Sequence, residues 1–307
     1  MIGLLYSPRF LEHDTGSGHP ESPERLRAIW NHLHACGLIS RLKPLEPAPH
    51  EISWIETVHD PAYIHRVRET CERGDPFIDT GDTGICPKSY EIALLAVDGA
   101  LTLVDEVMTG KIQRGFGLIR PPGHHAERAL SLGFCLFNNV AIAARYAQKK
   151  YKLSRIAIVD WDVHHGNGTQ HTFESDPSIF YVSIHQWPLY PGTGRREEKG
   201  QGNVLNIPLP PHSGDEEYLK VFKEETIPAL DHFKPELIFI SAGFDAHRND
   251  PLAQMDLTEE GYRRMTELLV ELANRHSAGR IVSLLEGGYR LPALARSVQI
   301  HLQSMMV

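Results

Sequence analysis

Short, nearly continuous apolar runs recur along the chain, each followed by a polar, glycine-rich stretch and then by a longer segment of helical periodicity. The clearest runs are Phe116–Arg120, Ile156–Asp162, Ile179–His185, Leu237–Phe244 and Arg280–Leu285, and the opening MIGLLYSPRF reads as a first strand. Near-continuous apolarity at strand length is the mark of parallel strands covered on both faces. Between them the pattern predicts helices over Pro23–Cys36, Ser89–Met108, Asn138–Lys150, Asp215–His232, Thr258–His276 and Pro292–Gln303. Thr258 is placed to cap the fifth, with acidic residues in its first turn. Alternation of strand and helix predicts an α/β fold with a parallel sheet and right-handed crossovers. No repeat, low-complexity tract or linker interrupts it, so residues 1–307 are read as one domain.

In open parallel sheets, sites form in the loops beyond the carboxyl ends of the strands. Pro121–Glu127, Asp160–Gly168, His185–Gly194, Asp245–Asp250 and Glu286–Arg290 each follow an apolar run directly. Five polar loops on one sheet edge predict a functional site there.

The net charge of -8 argues against a nucleic-acid partner, which calls for a basic face, but suits a basic substrate. No apolar run reaches the roughly 18 residues of a membrane-spanning helix. The first residues lack the basic flank and length of a secretion signal, so a cytoplasmic protein is expected. Cys36, Cys71, Cys86 and Cys135 show no CxxC spacing, which argues against a disulfide framework or a cysteine zinc site.

The segment Ile156-Ala-Ile-Val-Asp-Trp-Asp-Val-His-His-Gly carries the strongest chemical signal. Strand alternation puts Ile156, Ile158, Asp160 and Asp162 on one side, and His164 continues the spacing. Carboxylates and an imidazole crowded at a strand end repel and desolvate badly without a cation. Asp245 follows a second strong strand, just after Gly243. Asp162, His164 and Asp245 would supply three ligands and leave a fourth position open, the layout of a catalytic zinc site. An oxygen-rich set of this kind also accepts ferrous iron or manganese.

Arg120-Pro-Pro-Gly-His-His sets His124 and His125 in a fixed turn, with Asp160 and Asn167 available as orienting acceptors. Leu285-Glu-Gly-Gly-Tyr puts the Tyr289 phenol on a turn after another strand.

The ordered segments RPPGHHAE, GFCLFNNVAIAA, VDWDVHHGNGTQ, SIHQWPLYPGTG, SAGFDAHRNDPLAQMDLT and LEGGY resemble the histone deacetylase family, class II-like branch. The stretch from His13 to Leu26 fits that branch too. Acetoin utilisation proteins and acetylpolyamine amidohydrolases are relatives within the arginase/deacetylase superfamily. The resemblance implies a central parallel sheet of about eight strands with helices on both faces. It implies one zinc on Asp162, His164 and Asp245, His125 braced by Asn167 as general base and acid, His124 leaning on Asp160, and Tyr289 as oxyanion donor. It further implies a structural potassium on Asp160, the carbonyls of Asp162, His164 and Ile184, and the Ser183 hydroxyl. A second potassium would sit on backbone oxygens near Phe173 and Asp176. Gly133, Phe134 and Tyr190 would line a narrow channel for an aliphatic stem.

The implied reaction is hydrolysis of the amide of an acyl-lysine, in a peptide or protein, or of a similar small acylated amine. An acetylpolyamine amidohydrolase shares every one of these motifs. The eukaryotic polyamine branch carries a glutamate seven residues after the last zinc aspartate, where this chain has Leu252. An apolar gate offers an internal ammonium no partner, which favours acyl-lysine. A non-catalytic acyl-lysine binding protein and a two-manganese ureohydrolase are further readings, and the intact histidine pair and tyrosine speak against both. Oligomeric state is left open.

Overall fold

Eight strands form one sheet in the order β2-β1-β3-β8-β7-β4-β5-β6, every neighbouring pair parallel. The computed structural model describes all 307 residues. In chain order the elements are β1 (Ile2–Leu5), α1 (Pro23–Ala35), β2 (Lys43–Leu45), α2 (Pro61–Arg73), α3 (Ser89–Met108) and β3 (Arg114–Gly117). They continue with α4 (Asn139–Tyr151), β4 (Ile156–Asp160), α5 (Asn167–Phe173), β5 (Ile179–Gln186), β6 (Val204–Leu209), α6 (Asp215–Val221) and α7 (Ile227–Phe233). The last are β7 (Leu237–Ala242), α8 (Glu259–His276), β8 (Ile281–Leu285) and α9 (Leu291–Ser304).

Helices cover both faces, with α1, α8 and α9 packed as one group and α3 with α4 as another. Both faces of β3, β4, β7 and β8 are therefore buried, which explains the mostly apolar sequences of β4, β7 and β8, while β3 pairs Phe116 with two glycines and the buried Arg114. One contiguous core of 79 buried residues runs through sheet and helices, as a single α/β domain requires. No helix is long and apolar enough to cross a membrane.

Strand order places the site. The chain builds outward from β1 to β2, returns to β3, leaps to β4, builds outward to β6, and fills the gap with β7 and β8. The carboxyl ends of β3, β8, β7 and β4 thus lie side by side at the reversal of direction, where parallel sheets hold ligands.

Several boundaries differ from the sequence reading. The third strand ends at Gly117, not Arg120, because the chain bends into the Arg120–Gly123 turn. The strand expected through Asp162 ends at Asp160, and β7 ends at Ala242 rather than Phe244. The helix expected over Asp215–His232 is α6 and α7 joined by a π-helical turn, Phe222–Thr226. Pro228 lacks the N–H a regular α-helix needs at that point, and a widened turn accommodates it. Thr258 caps α8 as expected, its hydroxyl accepting from Glu260 N at 3.2 Å.

Candidate active site

The loops after β3, β4, β5, β7 and β8 converge on one centre. Asp162 and His164 follow β4, Asp245 follows β7, and all three are buried. Their nearest side-chain donor atoms lie within 4.8 Å of one another. His164 Nδ1 is 3.1 Å from Asp162 Oδ1 and 3.2 Å from Asp245 Oδ2. The remaining oxygens are held by backbone amides: Gly287 N donates to Asp162 Oδ2 at 2.8 Å and Val163 N to Asp245 Oδ1 at 2.9 Å. Asp245 Oδ2 is buried and accepts no hydrogen bond. One orphaned carboxylate oxygen facing an imidazole nitrogen and a second carboxylate fits a bound cation. Gly243 makes room for the cluster, since a Cβ there would lie 2.1 Å from Asp162 Oδ2.

Asp160 does not join this group, contrary to the shared side expected of it. With the strand finished at Asp160, the chain turns and the next carboxylate faces elsewhere. Asp160 Oδ2 instead lies 3.0 Å from His124 Nδ1 and accepts from Tyr181 OH at 3.0 Å. Burial opposes a charge on His124, but Asp160 and Asp162 outweigh it and push the ring up to about 10. His125 differs: its Nδ1 lies 2.7 Å from Asn167 Oδ1. Burial, then the neighbouring His124 and His164, hold it well below the usual histidine range. Asn167 is itself fixed, donating to His125 O at 3.2 Å and to Glu127 Oε1 at 2.5 Å.

Above the centre opens a cavity of about 200 Å³ lined by Asp82, His125, Gly133, Phe134, His164, Leu189, Tyr190, Leu252 and Tyr289. Every channel residue taken from the resemblance is among them. Gly133 sits against the His125 ring at φ +55°, where a Cβ would come within 2.3 Å of it. The Phe134 and Tyr289 rings meet edge to face at 5.9 Å, and Tyr190 stands edge-on to His125 at 5.3 Å. The Tyr289 ring also lies under the Arg25 guanidinium, 5.1 Å away.

Three carboxylates here escaped the sequence reading. Asp250 accepts from Tyr289 N at 2.7 Å, Leu252 N at 3.0 Å and Arg290 N at 3.3 Å, tying the tyrosine turn to the pocket rim. Burial, then Asp245, push it up to about 7. Glu286 accepts from Gly123 N at 2.7 Å and His124 N at 3.2 Å, tying the same turn to the histidine turn. Asp82 comes from the loop between α2 and α3, after no strand, and lines the same cavity as Leu252. The rim is therefore not the carboxylate-free gate that Leu252 alone suggested.

The residues expected around potassium divide. The carbonyls of Asp162 and His164 accept no hydrogen bond from the protein, and Ser183 Oγ lies 2.9 Å from His185 Nδ1. The carbonyls of Phe173 and Asp176 are different, for both accept from the Asn203 side-chain amide, at 2.8 and 3.0 Å. That second set does not fit a cation.

Comparison with known proteins shows what the whole chain is similar to. The histone deacetylase domain profile matches residues 19–305. A probable deacetylase of Archaeoglobus fulgidus is 41% identical over 295 residues, covering 94% of this chain and 81% of that protein. The polyamine deacetylase HDAC10 of Homo sapiens is 40% identical over 301 residues, covering 93% of this chain and 44% of that protein. The crystal structure of the HDA15 HD domain superposes with a TM-score of 0.94 at 36% identity, covering 99% of this chain and 88% of that one.

Proposed function

Because the chain belongs to the histone deacetylase family, and is a deacetylase, we propose that it hydrolyses acyl-lysine, in peptides or proteins, or a similar small acylated amine. The observation that carries this is one cavity whose floor and walls unite His125, His164 and Tyr289 beside the Asp162–Asp245 carboxylate pair.

Asp162, His164 and Asp245 would hold one zinc, which would polarise the acyl carbonyl and acidify water bound beside it. The two histidines have separate tasks. Asn167 donates through its nitrogen to two oxygens, so its oxygen faces His125 and accepts from Nδ1–H. The lone pair of His125 is thereby left on Nε2, as a general base needs. It takes the proton of the attacking water and later passes it to the leaving amine, giving carboxylate and free amine. His124, held by the Asp160 carboxylate, would stand next to the developing oxyanion, where a proton on its ring would stabilise that charge. The Tyr289 phenol makes no hydrogen bond within the protein and is free to donate to that oxyanion. Phe134 and Tyr190 would flank an aliphatic stem at about 0.8 kcal/mol per buried methylene. A structural potassium would use Asp160, Ser183 and the carbonyls of Asp162, His164 and Ile184.

A second reading, acetylpolyamine hydrolysis, is favoured by Asp82, whose carboxylate at the cavity wall suits an internal ammonium. Turnover of acetyl-, trifluoroacetyl- and longer acyl-lysine substrates beside acetylpolyamines decides between them. Activity on none would sink both.

A further inference from the structure

The stretch from α5 to β5 turns three backbone carbonyls, those of Phe173, Asp176 and Ile179, towards one point. Asn203 Nδ2 lies at that point, 2.8 Å from Phe173 O, 3.0 Å from Asp176 O and 2.8 Å from Ile179 O. Two of these are the oxygens that resemblance assigned to a second potassium. We propose that in this chain the Asn203 carboxamide takes the place of that ion, so the α5–β5 connection is closed by the protein itself and does not respond to monovalent cations.

Three features support the exchange. A cation holding the same three oxygens would occupy the volume that Nδ2 fills. Two of the acceptors already have another donor: Phe173 O accepts from Asp176 N at 2.8 Å, and Asp176 O from Ile179 N at 3.1 Å. Each carbonyl has two lone pairs, so the two N–H groups of the amide, shared among the three oxygens, take up the last at Phe173 and Asp176. Finally, the amide orientation is fixed, because Asn203 Oδ1 accepts from Gln201 N at 3.0 Å. Reversing it would set oxygen against three carbonyls and N–H against N–H. Asn203 is buried, and its own carbonyl accepts from Tyr181 N at 2.9 Å, so the group is held from both ends.

The connection matters because α5 runs from Asn167, which braces His125, to Phe173. The carbonyls at a helix C-terminus need donors or a positive charge. Here a neutral amide supplies the donors, and the brace on His125 does not depend on salt composition.

The test is site-resolved. Crystals of the wild-type chain grown in rubidium chloride are examined for anomalous density, with Asn203→Ala alongside. The expected result is no rubidium among the Phe173, Asp176 and Ile179 carbonyls of the wild type, whatever the potassium site at Asp160 and Ser183 holds. Asn203→Ala, if it folds, should gain density there. Amide exchange over residues 173–179 of the wild type should be unchanged when potassium is replaced by choline. Rubidium at that point in the wild type, with Asn203 displaced, overturns the proposal, and so does exchange over 173–179 that accelerates in choline.

Discussion

Asn167 behind His125 offers a neutral oxygen, whereas Asp160 behind His124 offers a carboxylate, and with Asp162 also acting on His124 and two histidines acting on His125 this separates the two rings electrically. The pair and its braces were legible because the histidines stand in the loop after β3, while Asp160 ends β4 and Asn167 opens α5 just after the β4 loop. Asp250 and Glu286 were not, since what they do is accept backbone amides 39 and 163 positions away. Two substitutions test this scale. Tyr289→Phe removes only the oxyanion donor, so kcat should fall by about 10²–10³ with fold and metal content retained. Unchanged kcat in a folded variant would remove Tyr289 from the chemistry. Leu252→Glu adds a second carboxylate to the cavity lining that already holds Asp82. It should raise the kcat/KM ratio of acetylspermidine over an acetyl-lysine peptide by about 5- to 150-fold, equivalent to about 1–3 kcal/mol. A wild type that already prefers the polyamine strongly would hand the assignment to the second reading.

Elements were legible in proportion to their burial. The central strands announce themselves through apolar runs, and so do the long helices. The two edge strands do not: β2 has three residues with Pro44 among them, and β6 carries Pro208 and Asn206. Proline is tolerated at an edge but argues against a strand when only sequence is read. The α2 helix hid behind its charges, with one narrow stripe of Tyr63, Ile64, Val67 and Cys71 buried. What sequence shows least is close approach between elements, and the end of β7 makes this testable. A Cβ on Gly243 would meet Asp162 Oδ2 at 2.1 Å and Asp162 Cα at 2.6 Å, the second being backbone that cannot swing away. Gly243→Ala should therefore push β7 and the β4 loop apart, costing about 1–3 kcal/mol and at least about tenfold in metal affinity. Gly81→Ala, with nothing within 4 Å, is the matched control. Equal metal-to-protein ratios after dialysis in both variants would show that the approach is not needed.

Across the whole molecule, buried histidines outside the metal centre shape how stability responds to acid, and His59, His301 and His13 show how. His59 accepts from Asn138 N at Nε2, 2.9 Å, with Nδ1 lying 2.8 Å from Glu127 O, an arrangement that requires a neutral ring. His301 bridges Thr266 and Ser283 at 2.8 and 2.9 Å, and His13 lies 2.7 Å from Ser89 Oγ. Burial lowers all three, His59 to about 4 and His301 and His13 to about 3, with Arg120 lowering His13 further while Glu21 opposes. Their folded values lie below the unfolded value, so the unfolded chain binds more protons between about 6.5 and 4. The stability they contribute is whole above pH ~6.5 and falls as pH drops through that window, by about 1.4 kcal/mol per group per unit at most. His50 acts in the opposite sense. Burial opposes its charge, but Asp105 and Asp98 outweigh it and push it up to about 9. Its contribution is whole below pH ~6.5 and is lost as pH rises through 9. Histidines that ligate the metal do not titrate in this window in the metal-loaded protein, because a bound cation displaces their protons. Rings held low, with His185 and His247 joining His59, His301 and His13, outnumber those pushed up, His50 and His171, which makes the acid side the steeper, with maximum stability near neutrality. Guanidinium midpoints of the metal-loaded protein, measured from pH 8.5 to 5, should peak near 7 and fall more sharply below 6 than above 8. His301→Gln, if it folds, should flatten the acid limb by close to one proton. Midpoints that stay level down to pH 5 would mean that these rings are not buried neutral in the folded protein.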